Sequence, residues 1–201
     1  MGDQAKVKLG LKNVHYYPVT VGGEAGARTL TFGEGKAWPG AVSMSIDVSA
    51  DSTKSYGDDT VYYISAAIPT EEIELESYMI PEDFLVSYLG AKKDDDGNIV
   101  DGDDDVAIPF AFAFEFSTDK RATRYLYFYC TATKPSDEAE TKSDKAEPKT
   151  IKLKVTAAGV DGFGRRKVSS AATTDSAYNS WYTTPKAPTF TGTTTTTSSG
   201  N

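Results

Sequence analysis

Residues 108–116 read IPFAFAFEF, and in this stretch Phe110, Phe112, Phe114 and Phe116 alternate with Ala111, Ala113 and Glu115. Period-two alternation puts successive side chains on opposite faces of a strand, so the four rings share one face. Such a row, headed by Ile108, predicts a core strand. Residues 122–133 follow with two rows, Tyr125/Tyr127/Tyr129 and Leu126/Phe128/Cys130, which predicts a strand covered on both faces. Working outward, the same alternation recurs with one polar face. Val7, Leu9 and Leu11 alternate with Lys6, Lys8, Gly10 and Lys12. Val42, Met44, Ile46 and Val48 alternate with Ser43, Ser45, Asp47 and Ser49. Ile73, Leu75 and Ser77 alternate with Glu72, Glu74 and Glu76, and Ile151, Leu153 and Val155 with Lys152, Lys154 and Thr156. Residues 61–68 add a β-branched and aromatic run. At least seven strands, most buried on one side, predict a mainly β chain folded as an antiparallel sandwich or barrel.

Helix is scarce. Pro81, Glu82 and Asp83 supply a proline and two acids where a helix N-terminus favours them, and Gly90 supplies a stop. Phe84, Leu85, Tyr88 and Leu89 share a face at helical spacing, so one short flanking helix is predicted at about 81–90. A second is read at 174–182, with Tyr178 and Trp181 three apart. The loops are equally marked. Residues 92–105 read KKDDDGNIVDGDDD, with Asp96-Gly97 suited to a hairpin turn. Residues 134–149 are polar, with five acids and four bases. From Thr183 the chain becomes TTPKAPTFTGTTTTTSSGN, whose one sizeable apolar group is Phe190. The expected organisation is one β domain over 1–182 and a Thr/Ser-rich arm over 183–201.

Composition narrows the function. The 201 residues are 39% hydrophobic and 25% charged, an ordinary soluble globular composition. Lys and Arg number 21 against 29 Asp and Glu, a formal net charge of −8. An acidic chain is a poor candidate for gripping nucleic-acid phosphates. No apolar run approaches the roughly 18 residues of a membrane span, and no apolar signal segment opens the sequence. One cysteine, Cys130, and one histidine, His15, exclude a disulfide framework and most Cys/His metal sites.

The individual candidates read as structural. Placing Gly97 at the glycine of an EF-hand loop sets Asp94 and Asp96 at oxygen-ligand positions, but Lys92 falls at the first and Asp103 at the closing one. A solvated acidic hairpin accounts for residues 94–105 better than calcium does. His15 has no second histidine or signature serine, and no Gly-x-Ser-x-Gly elbow is present. Cys130 continues an apolar row and reads as a buried small side chain. Glu72, Glu74 and Glu76 line one face of a strand rather than forming the separated pair a glycosidase needs. Residues 22–26 are glycine-rich without the Lys-Ser/Thr of a phosphate loop. The expectation is a non-enzyme with no cofactor and no metal.

An ordered series of strings carries a resemblance. KVKLGLKNVHYYPVT is followed by WPGAVSMSIDVSADS, YGDDTVYYIS and IELESYMIPEDFLVSYLG, then by IPFAFAFEFSTDKRATRYLYFYCTATKPS and AYNSWY. Over about residues 6–182 the chain resembles the major tail proteins (tail tube proteins) of long-tailed siphovirus bacteriophages. The resemblance implies a β-sandwich with a flanking helix, six copies to a ring, and rings stacked into a hollow tube. It implies as partners further copies of the chain, the tape-measure protein, and tail tip, baseplate and terminator proteins, with DNA as transient cargo. It also implies assembly in the host cytoplasm and residence in the virion tail.

Within that reading, charge sign selects a channel wall. The polar faces Ser43/Ser45/Asp47 and Glu72/Glu74/Glu76 suit a lumen that must not hold phosphates. The lysine faces, Lys6/Lys8/Lys12 and Lys152/Lys154, are expected outward or at interfaces, where the acidic loop could meet them. The alternative from another class is a monomeric binding module, a virion decoration protein or glycan-binding adhesin, using aromatics such as Trp38 and Trp181. A hydrolase with a scattered acid pair is the third.

Overall fold

A computed structural model describes residues 9–49, 52–57, 60–66, 70–102, 104–117, 121–135 and 149–190. Lys6, Val7, Lys8, Asp103, residues 67–69, most of the 134–149 loop and residues 191–201 lie outside the described residues. The chain is mainly β, with antiparallel sheets and two short helices. Its strands are β1 (Leu9–Gly22), β2 (Thr29–Phe32), β3 (Lys36–Ala37), β4 (Ala41–Ser49), β5 (Ser52–Gly57), β6 (Thr60–Ala66) and β7 (Thr70–Ser77). After α1 (Glu82–Tyr88) come β8 (Lys92–Lys93), β9 (Ile99–Val100), β10 (Phe110–Ser117), β11 (Thr123–Thr133), β12 (Ile151–Ala158), β13 (Arg166–Val168) and α2 (Asp175–Asn179). Neither helix is long and apolar enough to cross a membrane.

The main sheet runs β2-β1-β10-β11-β12-β7-β4, with β3 added to β1 and β13 to β11. It curls, so that β4 at one end approaches β1 near the other. The connection from β3 to β4 crosses that seam. There Trp38 donates its backbone N–H to the Val14 carbonyl (2.7 Å) and its indole N–H to Ser77 Oγ (3.0 Å), tying β1 to β7.

One core cluster fills the concave side. Phe110, Phe112, Phe114 and Phe116 meet Val14 and Tyr16 of β1, Tyr125 and Tyr127 of β11, Leu153 and Val155 of β12, and Ile73 and Leu75 of β7. α1 closes this interior as its spacing predicts: Phe84 and Tyr88 are buried and Leu85 packs against them. Gly90, at φ +84°, turns the chain away where a side chain would strike Val106. The second cluster lies on the convex side. Tyr17, Ala111, Ala113, Leu126 and Phe128 are covered there by Trp181, with Tyr182 and Ala187 packed alongside.

Bulges reset several rows. Between Phe112↔Tyr127 and Phe110↔Cys130, β11 advances three residues while β10 advances two. Cys130 therefore leaves the Leu126/Phe128 row and joins Tyr125 and Tyr127 in the first cluster, where burial pushes its thiol pKa up. β1 carries a similar irregularity between Lys12 and His15, with Asn13 at φ +51°, and so feeds Val14 and Tyr16 to one side and Tyr17 to the other. In β4 the register shifts between Ala41 and Ser43, and Ala41 rather than Val42 packs on the core.

Two expectations need correction, on Val42 and Val48 and on Ile108. Val42 and Val48 are exposed, the first turned out at the bulge and the second near the strand end. Ile108 precedes β10 and is exposed rather than heading the phenylalanine row. The Ala111/Ala113 face is as buried as the phenylalanine face, because the C-terminal segment covers it.

Phe112 is fully buried between Phe110 and Phe114. Phe112→Ala is expected to cost about 3–5 kcal/mol through lost burial and the residual cavity, read as a lowered denaturant midpoint at unchanged slope.

Candidate functional site

The antiparallel ladders bring β4, β7 and β12 together as one wetted outer face. Across it Ser43, Glu76 and Lys152 lie in line, then Ser45, Glu74 and Lys154, then Asp47, Glu72 and Thr156. Directly opposed residues of an antiparallel pair share a face. All six residues expected at the channel wall are thus on one surface. The apolar rows behind them, Met44/Ile46 and Ile73/Leu75, point into the core.

The lysines are the correction. Lys152 and Lys154 were expected away from the carboxylates, yet register places them among them, and Lys152 Nζ lies 2.8 Å from Glu74 Oε1. Charge sign cannot separate strands that are ladder neighbours, because like-charged neighbours would repel along the whole length. The face therefore carries four carboxylates against two ammonium groups. Glu76 accepts from Ser43 Oγ (2.6 Å) and from Thr150 Oγ1 (2.5 Å), and these bonds lower its pKa. Lys12, from the other basic row, is exposed on β1.

Two buried ion networks escaped the sequence reading. Glu71 lies at the end of the inward β7 row, where Arg165 Nη1 (2.6 Å), Arg166 Nη1 and Tyr127 OH (2.5 Å) all donate to it. Glu115, in the apolar β10 run, accepts from Arg124 Nε (2.8 Å) and Asn13 Nδ2 (2.7 Å). Arg124 also lies over the Tyr178 ring, 3.6 Å from its centroid, and donates to the Tyr178 carbonyl. This arrangement fastens α2 to the sheet. The signal in the sequence was a lone acid inside an apolar row, which calls for a buried partner.

The remaining candidates sit in structural roles. His15 is half-buried, its ring 4.8 Å from that of Tyr182. The 92–105 hairpin turns at Gly97 (φ +89°), with Asp94 accepting from the Asp96 and Asn98 backbone N–H groups and from Asn98 Nδ2. Those bonds occupy both Asp94 oxygens. Basic partners for the acidic loop are found within the chain, since Lys134 meets Asp101 (2.9 Å) and Asp105 (2.6 Å). Trp38 and Trp181, offered above as glycan-stacking groups, are 4% and 5% exposed and each donates its indole N–H inside the protein. They leave no platform for a sugar. The start of the C-terminal arm is anchored as well: Lys167 Nζ donates to the Lys186 carbonyl (2.6 Å) and Ala187 packs on the second cluster.

Asp83 joins α1 to β1 and β3. Burial works against its charge, but Lys36 Nζ at 2.8 Å and the Tyr16 hydroxyl outweigh that and hold the carboxyl below the usual aspartate range. A depressed folded-state pKa contributes stability above the unfolded value, about 4, and loses it as pH falls through the folded one. Asp83→Asn is expected to lower stability at neutral pH and to make the acid limb of a melting-temperature profile shallower. An unchanged acid limb would remove Asp83 from this role. No family model matches the chain, and no curated protein matches it.

Proposed function

We propose that this chain is a structural protein whose copies join edge to edge into rings, and that the rings stack into the hollow tail tube of a long-tailed bacteriophage. The observation that carries the reading is β4. It ends the ladder order of the main sheet, spans nine residues, carries no lysine or proline, and pairs with no further strand among the described residues, although it is bulged at Ala41/Ser43, carries Asp47 and comes near β1 at the seam. Val48, 63% exposed, and Val42 lie on it. A long edge strand of this kind is a template for a further strand, and proteins that stay monomeric blunt it. β5 and β6 add a second support. Among the described residues they form a two-stranded sheet of their own, paired with no strand of the main one, and a two-stranded hairpin is marginal in water by itself. Closure of edges around a ring satisfies the first need, and ring stacking offers a surface for the second.

In this reading the β4-β7-β12 face is a candidate channel wall. Its Ser43, Ser45, Asp47, Glu72, Glu74 and Glu76 side chains leave it acidic on balance even with Lys152 and Lys154 present. An acidic wall repels phosphates and lets a nucleic acid pass. A ring of six copies, a tape-measure protein in the channel, tip and terminator proteins at the ends, and a virion location complete the proposal. These rest on the resemblance of residues 6–182.

Negative-stain microscopy and sedimentation of the purified chain at high concentration test assembly directly, with rings or tubes expected. Val48→Lys is expected to stay within about 0.5 kcal/mol of the parent in stability, being a surface change, while abolishing those assemblies. Dispersed monomers of the parent under all conditions, tape-measure and tip proteins included, would sink the reading. Replacing Glu72, Glu74 and Glu76 together with glutamine removes the carboxylates without opposing like charges to Lys152 and Lys154; it is expected to leave the monomer folded and to make assembled tubes retain DNA, an effect that fades as salt rises. Tubes that ignore the replacement would place this face on the outer wall.

A further inference from the structure

A pocket of about 300 Å³ opens between the end of α1, the acidic loop and the end of β11, lined by Leu89, Gly102, Asp105, Ala107, Ala132, Thr133 and Lys134. Its lining is mixed, with Leu89, Ala107 and Ala132 supplying apolar surface, Thr133 and Lys134 polar surface, and Asp105 an unusual carboxylate. The Asp105 side chain is 4% exposed; Oδ2 accepts from Lys134 Nζ (2.6 Å) and from the Gly102 N–H (3.0 Å), while Oδ1 is buried with no hydrogen-bond partner. The bonds from Lys134 and Gly102 hold the carboxyl below its usual range, so it stays an anion. A buried anionic oxygen without a donor costs free energy until one arrives. Val106 and Ile108 lie exposed on the same stretch of chain.

The chemistry of the pocket describes its occupant. A lining part apolar and part polar around one unpartnered acceptor suits a stem of methylenes ending in a donor, as in lysine. A bare metal ion would leave the apolar part of the lining unfilled. Asp101 shares the Lys134 ammonium and Asp104 is exposed nearby, so three carboxylates face the two ammonium groups of Lys134 and Lys92 and the socket remains negative.

The chain itself carries a matching segment. Residues 183–190 read TTPKAPTF, without an acid, and Lys186 is exposed while Phe190 is 75% exposed. The Lys167 bond to the Lys186 carbonyl and the packing of Ala187 hold the segment's backbone on its own domain. The two side chains are therefore displayed on a fixed stem, which limits the ordering cost of docking. Four extended residues separate them by about 13 Å, and Asp105 to Ile108 spans about 10 Å by the same measure.

We propose that the Asp105 pocket is a socket for residues 185–190 of a second copy, with the Lys186 ammonium at Asp105 Oδ1 and the Phe190 ring on the Val106/Ile108 strip. The inference deepens the assembly reading and rests on it, by naming one contact between copies.

Cysteine cross-linking tests it. Val106→Cys and Phe190→Cys are made in separate, differently tagged full-length chains, mixed at assembling concentration and oxidised; Cys130 is fully buried and stays out of the reaction. A disulfide between the two tagged copies is expected, formed about tenfold more slowly with Lys186→Glu in the Phe190→Cys chain, as loss of a charge-assisted contact implies. Tubes without that disulfide overturn the socket and leave the tube reading standing. Absence of both tubes and disulfide overturns both. A Lys186→Glu chain that cross-links at the parent rate overturns the ammonium contact. In the chain carrying both cysteines, a purely intrachain disulfide overturns docking between copies.

Discussion

The structure depends on burying both faces of one strand pair. β10 and β11 run through the middle of the sheet, with Phe110, Phe112, Phe114, Tyr125 and Tyr127 on the concave side and Ala111, Ala113, Leu126 and Phe128 on the convex side. Neither face can be left to water. The concave side is enclosed by the curl of the sheet and by α1; the convex side is covered by residues well over a hundred positions from β1, through Trp181 and Tyr182. Removing either cover would expose a contiguous aromatic surface. The size of the aromatic rows thus dictates that the sheet curl and that the C-terminal segment return across it.

Buried charge then fixes how the covers sit. Glu115 and Arg124 are a pair at the convex margin, and Arg124 reaches both the ring and the carbonyl of Tyr178. Glu71, with Arg165, Arg166 and Tyr127, ties β7 to β11 and the stretch entering β13. Such networks add little net stability compared with an apolar packing of the same volume, but removing one partner leaves an uncompensated charge. Their contribution is to specify one arrangement of segments that apolar contact alone would allow to slide.

What the fold does not satisfy internally is equally informative. Among the described residues β4 has no strand paired to its outer edge and Asp105 Oδ1 has no hydrogen-bond donor, and the association of copies proposed above would offer partners to both. The proposed conduit would need no catalytic group. It would need faithful edges and a wall that does not hold its cargo, and the mixed acidic face of β4, β7 and β12 is the surface the proposal assigns to that wall.

Local pattern was enough to determine the mainly β class, the strands at 110–117, 123–133 and 151–158, α1 with its Phe84/Tyr88 face, and the turn at Gly97. Each depends on spacing between near neighbours, which is written directly in the residues. The polar faces of β4 and β7 were each legible as wetted for the same reason, and their joining into one surface was not. Register was not. A bulge displaces every later side chain by one position, so Cys130 and Val42 took faces that alternation alone assigns wrongly. Strand order was not legible either, and it put Lys152 and Lys154 beside Glu74 and Glu76 instead of on a separate surface. The partners of Glu71 and Glu115 come from segments distant in sequence, so those networks, and the burial of Trp38 and Trp181, were decided only when the chain closed on itself.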